Sequence, residues 1–156
     1  MLQVDIRSLD RGPVETPARV APDDPLFEGL AWRLAAPLEV EGRLQATADG
    51  EYFWRALLRG TARGECRRCL VPVDIPVEVE LQLLFSSDPE AADDPSVYPL
   101  SPAATKIDLA PAVREELLLA VPPWVECRPD CAGLCARCGA DLNAGPCACA
   151  RAAAEA

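Results

Sequence analysis

Cysteine is the residue type in this chain with the greatest capacity for chemistry. The 156 residues include eight cysteines and no histidine, and six of the cysteines lie in the stretch CRPDCAGLCARCGADLNAGPCAC near the end. Cysteine thiolates are ligands for metal ions, and four of them close a tetrahedral zinc site. The candidate ligands are Cys66, Cys69, Cys127, Cys131, Cys135, Cys138, Cys147 and Cys149.

The spacing of these cysteines favours structural zinc. Two pairs, CRRC at 66–69 and CARC at 135–138, have the C-x-x-C spacing that lets two sulfurs of one turn reach the same ion. Gly139 follows the second pair and permits the positive φ that would turn backbone N–H groups toward a sulfur. A catalytic zinc normally keeps an open position among histidine or carboxylate ligands. The sequence therefore predicts two closed zinc sites per chain.

Two pairings of the cysteines are consistent with two such sites. The favoured pairing places the last four cysteines around one ion, because they close within a short segment. The first four then hold the other ion, which would tie the β domain to the start of the tail. The alternative brings the two C-x-x-C pairs together, as in a zinc ribbon, and groups Cys127, Cys131, Cys147 and Cys149.

Other thiol chemistries fit the sequence less well. The N-terminal MLQVDIRSLDRG has no apolar core of a signal peptide, which favours a cytoplasmic protein in a reducing compartment, where disulfides are rare. A thioredoxin-like site would place its C-x-x-C at a strand-to-helix turn of a βαβ unit, and no such pattern is present. An iron–sulfur cluster and a thiol switch are the remaining alternatives.

The elements that must position these thiols are mainly strands. Every odd position from Val71 to Phe85 is apolar, which predicts a strand with one buried face. Pro72 and Pro76 cannot donate to a ladder and indicate an edge or a bend in that strand. Residues 38–48 and 51–61 flank an Asp-Gly turn and read as a β-hairpin.

The fold class that follows is α+β. We expect a small antiparallel β domain, either a sheet or a partly open barrel, with one main helix at 108–121 that Asp108 caps. Residues 86–105 are acidic and proline-rich and predict a mobile loop. The predicted organisation is a β-rich domain over 1–126, a zinc-binding tail over 127–149 packed on that domain, and a frayed end over 150–156.

Charge constrains the partners. The formal net charge is −10, and phosphate neutralisation drives non-specific nucleic-acid binding, so the chain is a poor candidate for a general nucleic-acid coat. Acids concentrate around Asp88–Asp94, which suits a basic protein partner. A solvated strand face and compensation of thiolate charge are the simpler explanation of the arginines. The candidate RNA-binding residues are Arg55, Arg59, Arg63, Arg67 and Arg68.

Three segments together resemble the YceD family of large ribosomal RNA accumulation proteins, once described only as a domain of unknown function. They are GECRRCLVPVDIPVEVELQLLF, IDLAPAVREELLLAVP and the final C-x3-C-AGLCARCG-x-DLN-x3-C-x-C, and the resemblance extends from Leu26 to Cys149. It implies a cytoplasmic bacterial or organellar protein that supports accumulation of large-subunit ribosomal RNA. It also implies a factor in ribosome biogenesis and not a known catalyst.

Binding is the function that the residues favour. With no histidine and no Ser–Lys or paired-carboxylate arrangement, the sequence offers no positioned general base, so we expect a non-enzymatic protein. Its expected partner is large-subunit ribosomal RNA, a precursor particle or a basic ribosomal protein, with no membrane or small-molecule substrate. The alternatives are a redox-regulated zinc holdase chaperone, which would lose zinc under peroxide, and a structural adaptor without RNA contact.

Overall fold

The computed structural model describes residues 2–154, which form one main sheet, a small β-ribbon and three helices. None of the helices in this range is long and apolar enough to cross a membrane. The strands are β1 Gln3–Asp5, β2 Val14–Glu15, β3 Ala18–Val20, β4 Arg33–Leu34, β5 Leu38–Ala48, β6 Glu51–Glu65, β7 Pro72–Ser86, β8 Val97–Pro99 and β9 Lys106–Asp108. The helices are α1 Ile6–Leu9, α2 Ala110–Ala120 and α3 Ala148–Ala154.

The main sheet is open and almost wholly antiparallel. Strands β5, β6 and β7 form its centre, β2 and β3 pair with the outer edge of β5, and β4 pairs with β6. Strand β8 pairs in parallel with the end of β7, while β1 and β9 form a separate ribbon. This architecture confirms the predicted α+β class with an antiparallel sheet, and the sheet does not close into a barrel.

Alternation along the long strands creates a single core face. On β6, Trp54 and Leu58 are fully buried, and the paired residues of β5 are the equally buried Leu44 and Val40. The odd positions of β7 point the same way, as their alternation predicts. Helix α2 packs on this face through buried residues that include Val113 and Leu117. The opposite face of the sheet carries most of its charged side chains.

The predicted edge character of β7 is also observed. Within the described residues, β8 pairs only with Leu84–Ser86, so the part of β7 that contains Pro72 and Pro76 has a strand on one side only. A proline that lacks an N–H group is tolerated at such an edge.

Gly42 allows a buried hydrogen bond under the sheet. The indole Nε1 of Trp54 donates to the hydroxyl of the buried Thr16 at 2.9 Å. A Cβ on Gly42 would lie 2.6 Å from both of these atoms. We therefore expect Gly42→Ala to destabilise the fold by about 2–4 kcal/mol, through overpacking and loss of this bond.

Denaturant unfolding measures this effect, with Gly29→Ala as the control. Gly29 has open space around its Cα and a positive φ, so its substitution should cost only the local backbone strain. Equal costs for the two substitutions would contradict the close-packing explanation.

The boundaries of the helix and the loop differ from the prediction. Helix α2 is shorter than 108–121 because Asp108 belongs to β9, although its carboxylate still accepts from the N–H of Ala110 at 3.0 Å. The acidic segment contains a 3-10 turn at Pro89–Asp93 and strand β8, and the mobility of this segment stays a prediction. Where the sequence predicts a frayed end, α3 continues to Ala154, and residues 155 and 156 lie outside the described range.

Candidate metal centre

The eight thiols fall into two compact groups. Each group brings four sulfur atoms within 4.8 Å of one another. The inner centre consists of Cys66, Cys69, Cys127 and Cys131, and the outer centre consists of Cys135, Cys138, Cys147 and Cys149. These are the two sets of the favoured pairing, and the zinc-ribbon grouping is not the one observed.

The sulfur positions fit a four-coordinate ion. In the inner centre, the Sγ atoms of Cys66 and Cys131 lie 3.9 Å apart, and those of Cys69 and Cys127 lie 3.6 Å apart. A tetrahedral site with metal–sulfur bonds of about 2.3 Å separates its sulfurs by about 3.8 Å. A disulfide would require about 2.05 Å, and all eight cysteines are free thiols. Either centre could therefore hold a metal ion.

The inner centre lies where the sheet meets the tail. Cys66 and Cys69 occupy the turn between β6 and β7, which is closed by the N–H of Leu70 donating to the carbonyl of Cys66 at 2.9 Å. On the other side of the turn, the N–H of Arg67 donates to the carbonyl of Val125 at 2.9 Å. The remaining two thiols, Cys127 and Cys131, lie shortly after Val125 in the chain, so an ion here would join both segments.

Burial distinguishes the two centres. Three thiols of the inner centre are buried, and they form a small cluster against Val73 and Leu134. The thiols of the outer centre are half-buried, apart from the exposed Cys138. The inner centre is therefore part of the packed interior, whereas the outer centre lies at the surface.

The outer centre is built almost entirely from local contacts. Its first turn is closed by the N–H of Gly139 donating to the carbonyl of Cys135 at 2.8 Å, and the N–H of Cys135 donates to Ala140 at 2.8 Å. Cys147 immediately precedes α3, and Cys149 lies in its first turn. The centre is attached to the inner one through the N–H of Leu134, which donates to the carbonyl of Arg68 at 3.0 Å.

Asn143 connects the two centres and was not identified from the sequence. Its side-chain amide lies 3.5 Å from the Cys131 sulfur as a donor, and its Oδ1 accepts from the N–H of Ala132 at 2.8 Å. A donor to a metal-bound thiolate orients that ligand and spreads its charge. The DLN triplet of the family resemblance contained Asn143, but nothing in its spacing indicated a contact with sulfur.

Ionisation of the thiols is uneven. Burial opposes ionisation of Cys66, but backbone N–H groups, that of Cys127 foremost, outweigh it and lower its pKa to about 6. The N–H of Cys138 and other donors lower the pKa of Cys135 to about 6 as well. Burial, reinforced by the Cys69 thiol, raises the pKa of Cys127 to about 12. Without a cation, each group therefore favours one thiolate over several, and a bound dication would stabilise all four.

Both C-x-x-C turns require a residue with a positive φ directly after the second cysteine, and the two turns use different residues there. Gly139 has the predicted positive φ, 70°, and Leu70 occupies the equivalent position with a φ of 62°. A left-handed conformation costs a residue with a Cβ about 1–2 kcal/mol, whereas glycine adopts it freely. Since Leu70 is 58% exposed, packing does not compensate that cost.

Substitution at these two positions should therefore have opposite effects. We expect Gly139→Ala to destabilise the outer centre by about 1 kcal/mol, and Leu70→Gly to leave the inner centre at least as stable as before. Competition with a zinc-binding dye measures the affinity of each centre. A loss of affinity on Leu70→Gly would show that the leucine side chain stabilises the turn.

Most of the predicted RNA-binding arginines of β6 form ion pairs with carboxylates. Arg55, Arg59 and Arg63 lie on the outer face of the sheet, as their spacing predicts. Arg59 donates to Glu78 at 3.1 Å, and Arg63 makes two hydrogen bonds to Asp74 at 2.6 and 3.1 Å. This pairing raises the pKa of Arg63 and lowers that of Asp74. Among the described residues, only Arg55 of the three forms no ion pair.

Arg67 and Arg68 have a structural partner beside the inner centre. Both guanidinium groups contact the carboxylate of Glu126, at 2.6 and 3.4 Å, and Arg68 also donates to the carbonyl of Cys131 at 2.7 Å. Glu126 was not singled out in the sequence, because its position next to Cys127 does not reveal contacts with the distant turn at 66–69. RNA binding by these arginines stays a prediction.

Comparison with known proteins finds similar proteins in mycobacteria. Uncharacterized proteins of Mycobacterium tuberculosis and Mycobacterium bovis are each 32% identical over 156 residues, covering 93% of this chain and 72% of the relative. An uncharacterized protein of Mycobacterium leprae is 29% identical over 119 residues, covering 71% of this chain and 52% of that protein. No solved structure matches the chain.

A family model matches the part of the chain that contains both groups of four cysteines. The match covers residues 55–155, and the family is described as the large ribosomal RNA subunit accumulation protein YceD. This range begins within β6 and includes β7, α2 and every cysteine. The family description is that of an accumulation factor and names no catalytic activity. The match confirms the resemblance, and the chain belongs to the YceD family.

Proposed function

We propose that this chain is a non-enzymatic cytoplasmic factor that supports accumulation of large-subunit ribosomal RNA. The observation that carries the proposal is the match over residues 55–155 to a family that is described by this role. The described residues supply an open sheet, one covering helix and a thiol-rich tail, which suits a protein that binds and positions a partner.

Both centres, in this proposal, hold zinc. The support is the donor set: four cysteine sulfurs at tetrahedral spacing, with no histidine in the chain. Such closed sites are structural, since they leave no position for water or substrate. Zinc would supply folding energy here, and the residues that orient its ligands would be Asn143 and the backbone donors around Cys66.

The charge distribution favours a protein partner over direct binding to RNA. Eight thiolates and two divalent ions would change the formal net charge from −10 to −14. Four of the five candidate arginines already contact carboxylates, so they offer little uncompensated positive charge to phosphates. They are Arg59, Arg63, Arg67 and Arg68. We therefore propose that the factor acts through a basic ribosomal protein or a precursor particle that contains one.

The test is the ratio of large-subunit to small-subunit ribosomal RNA in cells that lack the gene. We expect the ratio to fall in the deletion strain and to recover with the wild-type gene. Recovery should fail with a Cys66→Ser gene if the inner centre is needed for a folded factor. An unchanged ratio in the deletion strain would refute the proposed function.

The same strain separates this proposal from the holdase alternative. A ribosomal factor should affect the ribosomal RNA ratio during ordinary growth, whereas a redox-regulated holdase should matter mainly under peroxide. A growth or aggregation defect that appears only with peroxide, with a normal RNA ratio, would favour the holdase.

A further inference from the structure

An apolar patch extends from the end of α2 into the segment that leads to the inner centre. Three of its side chains are unusually exposed: Leu118 at 47%, Leu119 at 76% and Trp124 at 72%. Leucine and tryptophan exposed together in this way mark interaction sites, and tryptophan is among the residues that most often dominate binding energy. We refer to Leu118, Leu119 and Trp124 as the apolar patch.

A groove adjoins the patch and offers a place for a partner side chain. Its volume is about 720 Å³. It lies between the end of α2, the ends of β6 and β7 next to the inner centre, and the loop before β4. Its lining is mostly apolar and includes Leu30, Trp32, Ile75 and Pro123, together with Leu118 of the patch. Three charged residues, Arg33, Arg63 and Glu65, also line it, and Arg63 is paired with Asp74. The fold thus presents exposed apolar side chains beside an apolar recess.

Packing within the chain does not account for the patch. Helix α2 buries Ala112, Val113 and Leu117 against the sheet, and this face is sufficient to hold it there. Leu119 lies on the other side, one turn beyond Glu115. The helix therefore carries a second apolar position that covers no part of the described chain.

Two acidic residues, Glu115 and Glu116, precede Leu119 on the same helix. Glu115 accepts from the hydroxyl of Tyr98 at 2.7 Å, which ties the acidic segment before β8 to the helix one turn from Leu119. Asp88, Glu90, Asp93 and Asp94 of that segment form no ion pair within residues 2–154. Burial and the neighbouring Glu115 raise the pKa of Glu116.

From these observations we infer that the apolar patch and its groove are the docking site for a basic protein segment with an apolar anchor. The inference rests on the proposed function and names the class of partner through which it acts. An apolar side chain of the partner enters the groove beside Leu119 and Trp124, and its lysine or arginine side chains face the acidic segment. Charge complementarity selects this occupant: RNA would be repelled by the acids, and a second copy would bring the same negative charge.

Variants that truncate the patch without changing charge provide the test. Leu119→Ser and Trp124→Ser remove exposed side chains, so both proteins should keep their melting temperature and metal content. Leu57→Ser is the control, because Leu57 is a half-buried leucine on the opposite face of the sheet. Two probes are used: the proteins of purified large ribosomal subunits freed of RNA, and the large-subunit ribosomal RNA freed of protein.

We expect wild-type protein to bind the RNA-free protein fraction and to shift its Trp124 fluorescence to shorter wavelength. Each patch variant should bind about tenfold more weakly or worse, while Leu57→Ser should bind as wild type does. Neutralising Glu90 and Asp93 as Glu90→Gln and Asp93→Asn should reduce the salt dependence of binding. Photo-crosslinking from position 119 should then yield a basic protein of the large subunit.

Three results would overturn the inference. One is binding to the naked ribosomal RNA alone, unaffected by the patch variants. Another is equal binding of the protein fraction by wild type and patch variants. The third is a stable wild-type dimer that Leu119→Ser dissociates, since the patch would then be covered by a second copy.

The cellular RNA ratio distinguishes this failure from failure of the proposed function. If the wild-type gene restores the ratio and the Leu119→Ser gene restores it equally, the docking site is wrong and the function stands. If deletion of the gene leaves the ratio unchanged, the function itself is wrong.

Discussion

Replacing Cys66 by serine should release one of two zinc ions and detach the tail from the β domain. Cys66 is fully buried between the sheet and the tail, and its inner centre joins the β6–β7 turn to the two cysteines that follow Val125. A structural zinc site contributes about 10–16 kcal/mol of apparent binding energy, comparable to the about 5–15 kcal/mol net stability of a whole domain. Loss of this ion should therefore lower the melting temperature of the entire protein.

Three measurements on the Cys66→Ser protein test this expectation. Metal analysis should find one ion per chain, thermal unfolding should begin at a lower temperature, and proteolysis should cut the chain near 122–126. Partner binding should fall in proportion to the unfolded fraction. A variant that loses the ion and yet melts as wild type does would show that the inner centre does not join the tail to the sheet.

Replacing Cys149 by serine should also cost one ion but should leave the sheet intact. The outer centre is assembled from residues 135–149, and its ligands are half-buried or exposed. Its loss should release the last part of the chain, including α3, while the inner centre keeps its four sulfurs. We therefore expect a local loss of order at nearly unchanged melting temperature of the β domain.

Amide hydrogen exchange distinguishes the two cysteine variants. Cys149→Ser should lose protection only beyond residue 134, whereas Cys66→Ser should lose it in the β6–β7 turn and the tail together. Loss of protection throughout β5–β7 in the Cys149→Ser protein would contradict the independence of the two centres.

The strong periodic patterns and the cysteine spacing were sufficient to predict much of this structure. The alternating apolar positions of β7 determine which face of the strand is buried. When the other face is exposed to solvent, only one register buries the apolar side chains. The favoured grouping of thiols was predictable because short segments close with little loss of chain entropy.

Other features depend on contacts between distant segments and left no local signal. The partners of Arg59 and Arg63 follow from the register of β6 against β7, which places Glu78 and Asp74 opposite them. Glu126 reaches the arginines of the first C-x-x-C turn only because Val125 pairs with Cys66. Helix α2 begins later than predicted because Asp108 is taken by the β1–β9 ribbon.

The positive φ of Leu70 was likewise outside the reach of sequence reasoning. Glycine is the usual signal for a left-handed residue after a C-x-x-C pair, and Gly139 carried that signal for the outer centre. At the inner centre the turn is imposed by the closing contacts of Cys66 with Leu70 and Val71, and a leucine accepts the strained conformation.

Native mass spectrometry of protein purified without added zinc tests directly whether each chain holds two zinc ions. We expect a mass increase of two zinc ions per chain, together with eight thiols that react with alkylating reagent only after the metal is removed. The Cys66→Ser and Cys149→Ser proteins should each carry one ion. A wild-type chain with no metal and with its cysteines in disulfides would refute both zinc sites.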